Sequence, residues 1–212
     1  MLLASPETLQ QAADYVSEHD TLLRPIIAAH GRCLIAPQTD YYGSLVSSII
    51  GQQLSVKAAQ VIRTRFLGLF DGHLPTPQQI LAVSLETMRG VGLSYAKGRS
   101  VQDLAAHIMS GRLSFAHIPD QSNQTIISEL CDVTGIGEWT AHMFLLFCVG
   151  RLDVLPYGDL GIRNGIRAIY GLATLPSPAD VISIAEQRHW HPYESVASWY
   201  IWRSLDVIPT NH

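Results

Sequence analysis

Apolar positions along the chain recur at intervals of three and four, the period of one helix face. Tyr42, Leu45, Val46, Ile49 and Ile50 form the first clear stripe, and Ala58, Val61, Ile62, Phe66 and Leu69 the next. The short joint "GQQL" lies between them, with Ser55 placed to cap the second helix. Similar patterns predict helices over 6–19, 21–30, 94–110, 122–133, 138–149, 160–170, 178–189 and 193–206. The pieces "DGHLPTP" and "LPSPAD" are rich in breakers and read as separators. No stretch alternates with the two-residue period of a half-buried strand, and no tandem repeat, low-complexity tract or linker interrupts the pattern. The predicted architecture is all-α, with residues 1–212 forming a single compact domain.

One interruption is unlike the others. Ile126, Ile127 and Leu130 face one way before "TGIGEWTA", and Met143, Leu146 and Phe147 after it. Gly135 and Gly137 tighten the connection, so residues 122–149 read as a helix-hairpin-helix. Glycine tolerates positive φ and lets backbone amides approach a ligand, while the N–H groups opening a helix favour an anion. A DNA phosphate is the natural guest. A purely structural corner between two helices has the same pattern, and Glu138 beside the turn works against an anion.

Charge changes the picture locally. The formal net charge of -4 and pI near 6.1 argue against a protein that coats nucleic acid without selectivity. Residues 51–119, however, carry seven basic and three acidic groups, against two and five before them and five and ten after them. Lys57, Arg63, Arg65, Arg89, Lys97, Arg99 and Arg112 form either a local face for a polyanion or an ordinary solvated helical surface. No apolar run approaches the roughly 18 residues needed to span a bilayer, and the start lacks a basic segment followed by an apolar core. The expectation is a soluble intracellular protein. Cys33, Cys131 and Cys148 are scattered, odd in number and in apolar surroundings, which predicts buried thiols and not a disulfide framework or ligand set.

The candidate chemistry lies further on. In "DVLPYGDLGIRNG", Asp159 stands at the start of a periodic helix, where it reads as an N-cap. A capping carboxylate that also faces a ligand can stabilise positive charge developing on a sugar or orient water, and the two roles are compatible. Asp153 reads as a turn or capping residue. In "HWHPYESVASWYIWR", Trp199 and Trp202 are three apart, and one indole together with Trp139 suits a slot for a flat or cationic ring. His189 and His191 lack a third ligand at metal-site spacing.

These pieces together resemble the helix-hairpin-helix DNA glycosylase superfamily, in its DNA-3-methyladenine glycosylase II branch, which removes alkylated bases. The resemblance runs from "LVSSIIGQQLSVKAAQVI" through "GVGLSYAKGRS" and "LCDVTGIGEWTAHMFLLF" to "DVLPYGDLGIRNG" and "PYESVASWYIWR", roughly residues 40–205. It implies two helical lobes flanking a DNA-binding cleft. By the same resemblance Asp159 matches the catalytic aspartate, and Trp139, Trp202 and Tyr157 match base-pocket positions. Gly135, Gly137 and Thr140 match the phosphate-gripping hairpin, and Lys97 a DNA-binding position. Gln53, Leu54 and Ser55 match the loop that fills the gap left by an extruded nucleotide, with Leu54 its apolar candidate. Main-chain carbonyls of Cys131, Val133 and Ile136 match a structural monovalent cation site.

Two absences qualify the implied reaction. Relatives that also cut the strand resemble one another in a hairpin lysine, where this sequence has Trp139, so mono-functional hydrolysis without lyase activity is implied. The branch resembling endonuclease III carries four closely spaced C-terminal cysteines, and none follows Cys148, so no iron–sulfur cluster and no catalytic cofactor are expected. The chain resembles compact members without an extra N-terminal lobe. It departs from the pattern at Glu194 in "PYES", where the family often has arginine. The implied partner is double-stranded DNA containing alkylated bases, bound by a monomer away from membranes, in the cytoplasm or nucleoid of a bacterium or the nucleus of a eukaryote. A non-catalytic helix-hairpin-helix module that binds lesions or DNA structure is the alternative from another class.

Overall fold

The computed structural model describes residues 3–205. In chain order the helices are α1 (Pro6–His19), α2 (Arg24–His30), α3 (Tyr41–Gly51), α4 (Val56–Gly68), α5 (Pro77–Ala82), α6 (Leu85–Gly90) and α7 (Tyr95–Met109). They continue as α8 (Asn123–Cys131), α9 (Glu138–Met143), a π-helical segment (Phe144–Val149), α10 (Leu160–Ile169), α11 (Pro178–Gln187) and α12 (Glu194–Ser204). Among the described residues there is no strand, only an isolated bridge between Leu3 and Arg151, so the fold is all-α.

Local capping sets most of these boundaries. Ser5, Asp40, Ser55, Thr76, Ser84, Ser94, Ser122, Asp159 and Ser177 each accept the N–H three residues ahead, satisfying a donor that the first helical turn leaves over. Helices α5 and α6 escape the periodicity because each is six residues long and buries one residue, Ile80 or Met88. Their caps, Thr76 and Ser84, were the available signal. Helix α2 starts later than predicted because Asp20 Oδ1 accepts the N–H groups of Leu22 and Leu23 and holds a turn there. Helix α4 is rotated from the predicted stripe: Ala59 and Phe66 are buried and Val61 is exposed. The expected 138–149 helix changes to π geometry at Phe144. The last residue of the expected 193–206 helix, like the rest of 206–212 and residues 1–2, lies outside the described residues.

The described chain divides into two compact units, one of residues 3–39 and 145–205, the other of residues 40–144. In the first, α12 packs against α1, α2 and α10. Gly165 makes the α10–α12 approach possible, since a Cβ there would overlap Ile201 Cγ2. Asp20, fully buried, ties this unit together: its Oδ2 accepts the Tyr170 hydroxyl and Trp190 Nε1–H, the latter at 2.9 Å. In the second unit α7 is central, packing against α3, α5 and α6, while α8 and α9 form the hairpin.

Replacing Asp20 by alanine orphans the Leu22 N–H, an indole N–H and a phenol at once, while Leu23 N–H keeps its bond to the Asp20 carbonyl. The expected loss is about 3 kcal/mol or more of unfolding free energy in urea titration. A loss below about 1 kcal/mol would contradict the assigned hub.

Candidate active site

The turn "LPYGD" delivers Asp159 to the start of α10. The Asp159 N–H donates to Pro156 O at 2.9 Å, and Tyr157 N–H to Leu155 O at 2.9 Å, closing the turn. Asp159 is extended at φ -67° and ψ 128°, and its Oδ1 accepts two bonds of 2.8 Å, from Ile162 N–H and from Trp202 Nε1–H. The carboxylate is therefore an N-cap, as expected, and a second helix fixes its rotamer. It sits at the positive end of the α10 dipole. The residue is 8% exposed.

Gly161 permits this arrangement. A Cβ there would stand 3.0 Å from Asp159 Oδ1 and 3.0 Å from Trp202 Cδ1, inside ordinary contact with both. The sequence reading passed over Gly161, although a glycine in the first turn of a strongly periodic helix was the visible signal. Trp202 needs a correction to its expected role. Its indole is 0% exposed, with its ring centroid 5.7 Å from that of Phe147, so it presents no open face to a base in this structure. Its Nε1–H donates to Asp159 Oδ1. Tyr157, two residues before Asp159, is half-buried. Trp139 belongs to the other unit and is 46% exposed.

Within residues 40–144, the hairpin turn uses its two glycines differently. Gly135 adopts φ 84°, a left-handed conformation, and a Cβ on it would overlap Ser100 Oγ. Gly137 has φ -103° and caps α9 with no side chain, leaving open space where a Cβ would point. The first bond inside α9 is Ala141 N–H to Gly137 O at 3.0 Å, so the opening turn carries the anion-favouring end of the helix. Thr140 is 5% exposed and packs with Ser44, Leu45, Ser48 and Phe144. Its side chain is a packing group, and only its backbone suits the expected DNA contact.

Of the three carbonyls matched to a cation, that of Val133 already accepts Ile136 N–H at 3.0 Å. A carbonyl keeps a second lone pair, and neutral oxygens alone fit a weakly held monovalent ion. No group of three His, Cys, Asp or Glu side chains suited to a metal occurs among the described residues, His189 and His191 included.

The joint between α3 and α4 is held tightly. Gln53 adopts φ 59° and is exposed at its tip, Leu54 is half-buried with its N–H on Gly51 O at 3.1 Å, and Ser55 is spent as the α4 cap. Lys97 does not offer a loose ammonium to a phosphate: Nζ donates to Ile50 O and Gln52 O, both at 2.7 Å, and desolvation lowers its pKa from the ordinary lysine value. Gln52 Nε2 donates to Gly135 O at 2.9 Å, and Asp103 Oδ2 accepts Thr134 N–H at 2.7 Å. Burial raises the Asp103 pKa, but the Thr134 bonds with the His107 and Arg112 charges outweigh it and hold the carboxyl below its usual value. Of the other cations in this stretch, Lys57, Arg65 and Arg99 are exposed, Arg63 donates to Ser47 Oγ, and Arg89 lies over the Tyr95 ring.

One smaller expectation is revised. Cys131 is exposed, unlike buried Cys33 and Cys148, because it ends α8 facing away from that unit's core. Glu194, the departure from the family pattern, receives a 2.9 Å contact between its Oε1 and His191 Nδ1.

A model of the HhH-GPD superfamily of base excision DNA repair proteins matches residues 46–189. DNA-3-methyladenine glycosylase 1 of Schizosaccharomyces pombe is 35% identical over 165 residues, covering 77% of this chain and 72% of its own. A crystal structure of a Bacillus halodurans DNA-3-methyladenine glycosidase superposes with TM-score 0.83 at 36% identity, covering 91% of this chain and 88% of that one. A Schizosaccharomyces pombe 3-methyladenine DNA glycosylase in complex with abasic DNA superposes with TM-score 0.80 at 30% identity, covering 95% and 98%. The matched residues include the joint, the hairpin and the Asp159 turn, and the chain belongs to the HhH-GPD superfamily of base excision DNA repair proteins.

Proposed function

We propose that the chain is a mono-functional DNA glycosylase that hydrolyses the N-glycosidic bond of alkylated purines in duplex DNA, with Asp159 as its catalytic carboxylate. The observation that carries this reading is the double restraint on Asp159 Oδ1, from Ile162 N–H and Trp202 Nε1–H. A carboxylate fixed at a helix start meets developing positive charge without reorganising, which is the condition for electrostatic catalysis. The relatives named for 3-methyladenine supply the substrate class.

Alkylation makes a purine cationic and a good leaving group, so the enzyme needs no strong general acid. Asp159 stabilises the oxocarbenium-like sugar, water completes the cleavage, and an abasic site remains. Reaching the bond requires the nucleotide to leave the stack, at a cost of a few kcal/mol. Stacking returns about 1–3 kcal/mol per base, and Trp139, the most exposed of the four indoles, is the one assigned to supply it. In the joint, Gln53 is better placed than Leu54 to fill the gap, being exposed and left-handed while Leu54 is half-buried. The hairpin grips phosphate through backbone N–H groups, and the carbonyls of Cys131, Val133 and Ile136 would hold a monovalent cation as a structural support. No Schiff-base step enters. The chain has two lysines, Lys57 and Lys97, and Lys97 is engaged by two carbonyls.

Asp159→Asn is expected to slow single-turnover release of 7-methylguanine about a hundredfold or more while abasic duplex is still bound. Excision at the wild-type rate would remove Asp159 from the mechanism. Trp202→Phe keeps the ring and deletes the donor, and losing one hydrogen bond to a charged group should slow excision about tenfold with an unaltered circular dichroism spectrum. An unchanged rate would leave Trp202 a packing residue only. Borohydride should trap no covalent complex with abasic DNA, and a trapped band on denaturing electrophoresis would refute the mono-functional reading.

A further inference from the structure

Three side chains on one face of α7 reach toward the two DNA-facing elements of the second unit. Lys97, Ser100 and Asp103 are spaced by three residues, so they line up along the helix. Lys97 Nζ holds the carbonyls of Ile50 and Gln52 at the end of α3. It satisfies acceptors that the helix end leaves over, and its charge suits the negative end of the dipole. Ser100 fills the space that a Gly135 side chain would need. Asp103 takes Thr134 N–H at the entrance to the hairpin turn. Gln52 closes the circuit, its carboxamide crossing 83 residues of sequence to donate to Gly135 O.

From this circuit we infer that Gln52, braced by Lys97, is a positioning residue that fixes the 52–55 joint to the 134–137 hairpin, so that the two meet a duplex in one preset geometry. The inference rests on the reading of the chain as a duplex-DNA glycosylase. Gln53 follows directly in the left-handed region, which a non-glycine residue occupies only where its surroundings hold it. The Lys97 bond to Gln52 O and the Gln52 bond to Gly135 O are those surroundings. If the joint moved independently of the hairpin, each would find its place on the backbone separately, and part of the binding free energy would be spent on ordering them. Gln52 touches no reacting atom in this account, and its effect is transmitted through Gln53 and Gly135.

The test compares Gln52→Ala, Gln52→Glu, Lys97→Met and Lys97→Arg with wild type by two measurements. One is affinity for a duplex carrying a single tetrahydrofuran abasic analogue, and the other is single-turnover excision from alkylated duplex at saturating protein. Gln52→Ala is expected to weaken affinity about tenfold while the saturated rate falls by less than about threefold. Gln52→Glu, of equal size but without the N–H donor, should be at least as weak. Lys97→Met should match Gln52→Ala, with affinity largely restored in Lys97→Arg, whose guanidinium can serve both carbonyls. Wild-type affinity in folded Gln52→Ala overturns the inference, as does a lowered melting temperature with affinity intact below it. If Lys97→Met does not fold, the two Gln52 variants decide. A wild-type protein that binds the abasic duplex but releases no base refutes the glycosylase reading instead, and the affinity comparison still judges the coupling. Failure of wild type to bind the duplex overturns both.

Discussion

The candidate active site depends on one bifurcated acceptor. Asp159 Oδ1 is shared between the N-terminus of α10 and the indole of α12, at 2.8 Å to each. A cap alone would leave the carboxylate free to swing with its turn, and an indole contact alone would tie it to a side chain without fixing it on the helix. Together they set both its position and its rotamer. Two glycines on α10 make the geometry available: Gly165 allows the helices to close, and Gly161 clears the space in which Asp159 and Trp202 meet. In the proposed mechanism stability and chemistry share one contact, since the same oxygen satisfies a helix N–H and an indole N–H and faces the charge developing on the sugar. A second carboxylate is unnecessary when the leaving group is already cationic.

The second unit solves a different problem, that of holding two irregular segments still. Turns with exposed backbone and positive φ are the weakest parts of a helical protein, yet the 52–55 joint and the 134–137 turn are the parts that match the DNA-binding pattern. Helix α7 supplies the rigidity by capping one element and anchoring the other. Spending Lys97 on carbonyls costs the protein a surface cation. The gain is a defined path for the chain through Gln53.

Most of the helical order was legible because it is encoded locally. Ser55, Ser122 and Asp159 announce helix starts by their own hydrogen-bonding capacity, and Gly135 announces a turn by its tolerance of positive φ. The position of Asp159 before a periodic helix, some twenty residues beyond the glycine pair, was likewise readable. What escaped was non-local or sub-threshold. A six-residue helix such as α5 or α6 has too few turns to show a stripe. The rotation that exposes Val61 depends on which neighbours α4 meets. No property of "GQQL" indicates that Gln52 reaches Gly135, and nothing near Lys97 shows that its charge is used inside the fold. Trp202 was singled out as an aromatic, but only the packing of α12 on α10 reveals that its N–H matters more than its ring face.

The central claim is that this arrangement breaks a glycosidic bond and does more than bind a lesion. Chromatography of the bases freed from methylated duplex DNA tests that directly. The account requires 3-methyladenine and 7-methylguanine to appear as free bases, with strands intact until alkali is added. Tight binding to the same duplex with no base released would contradict it.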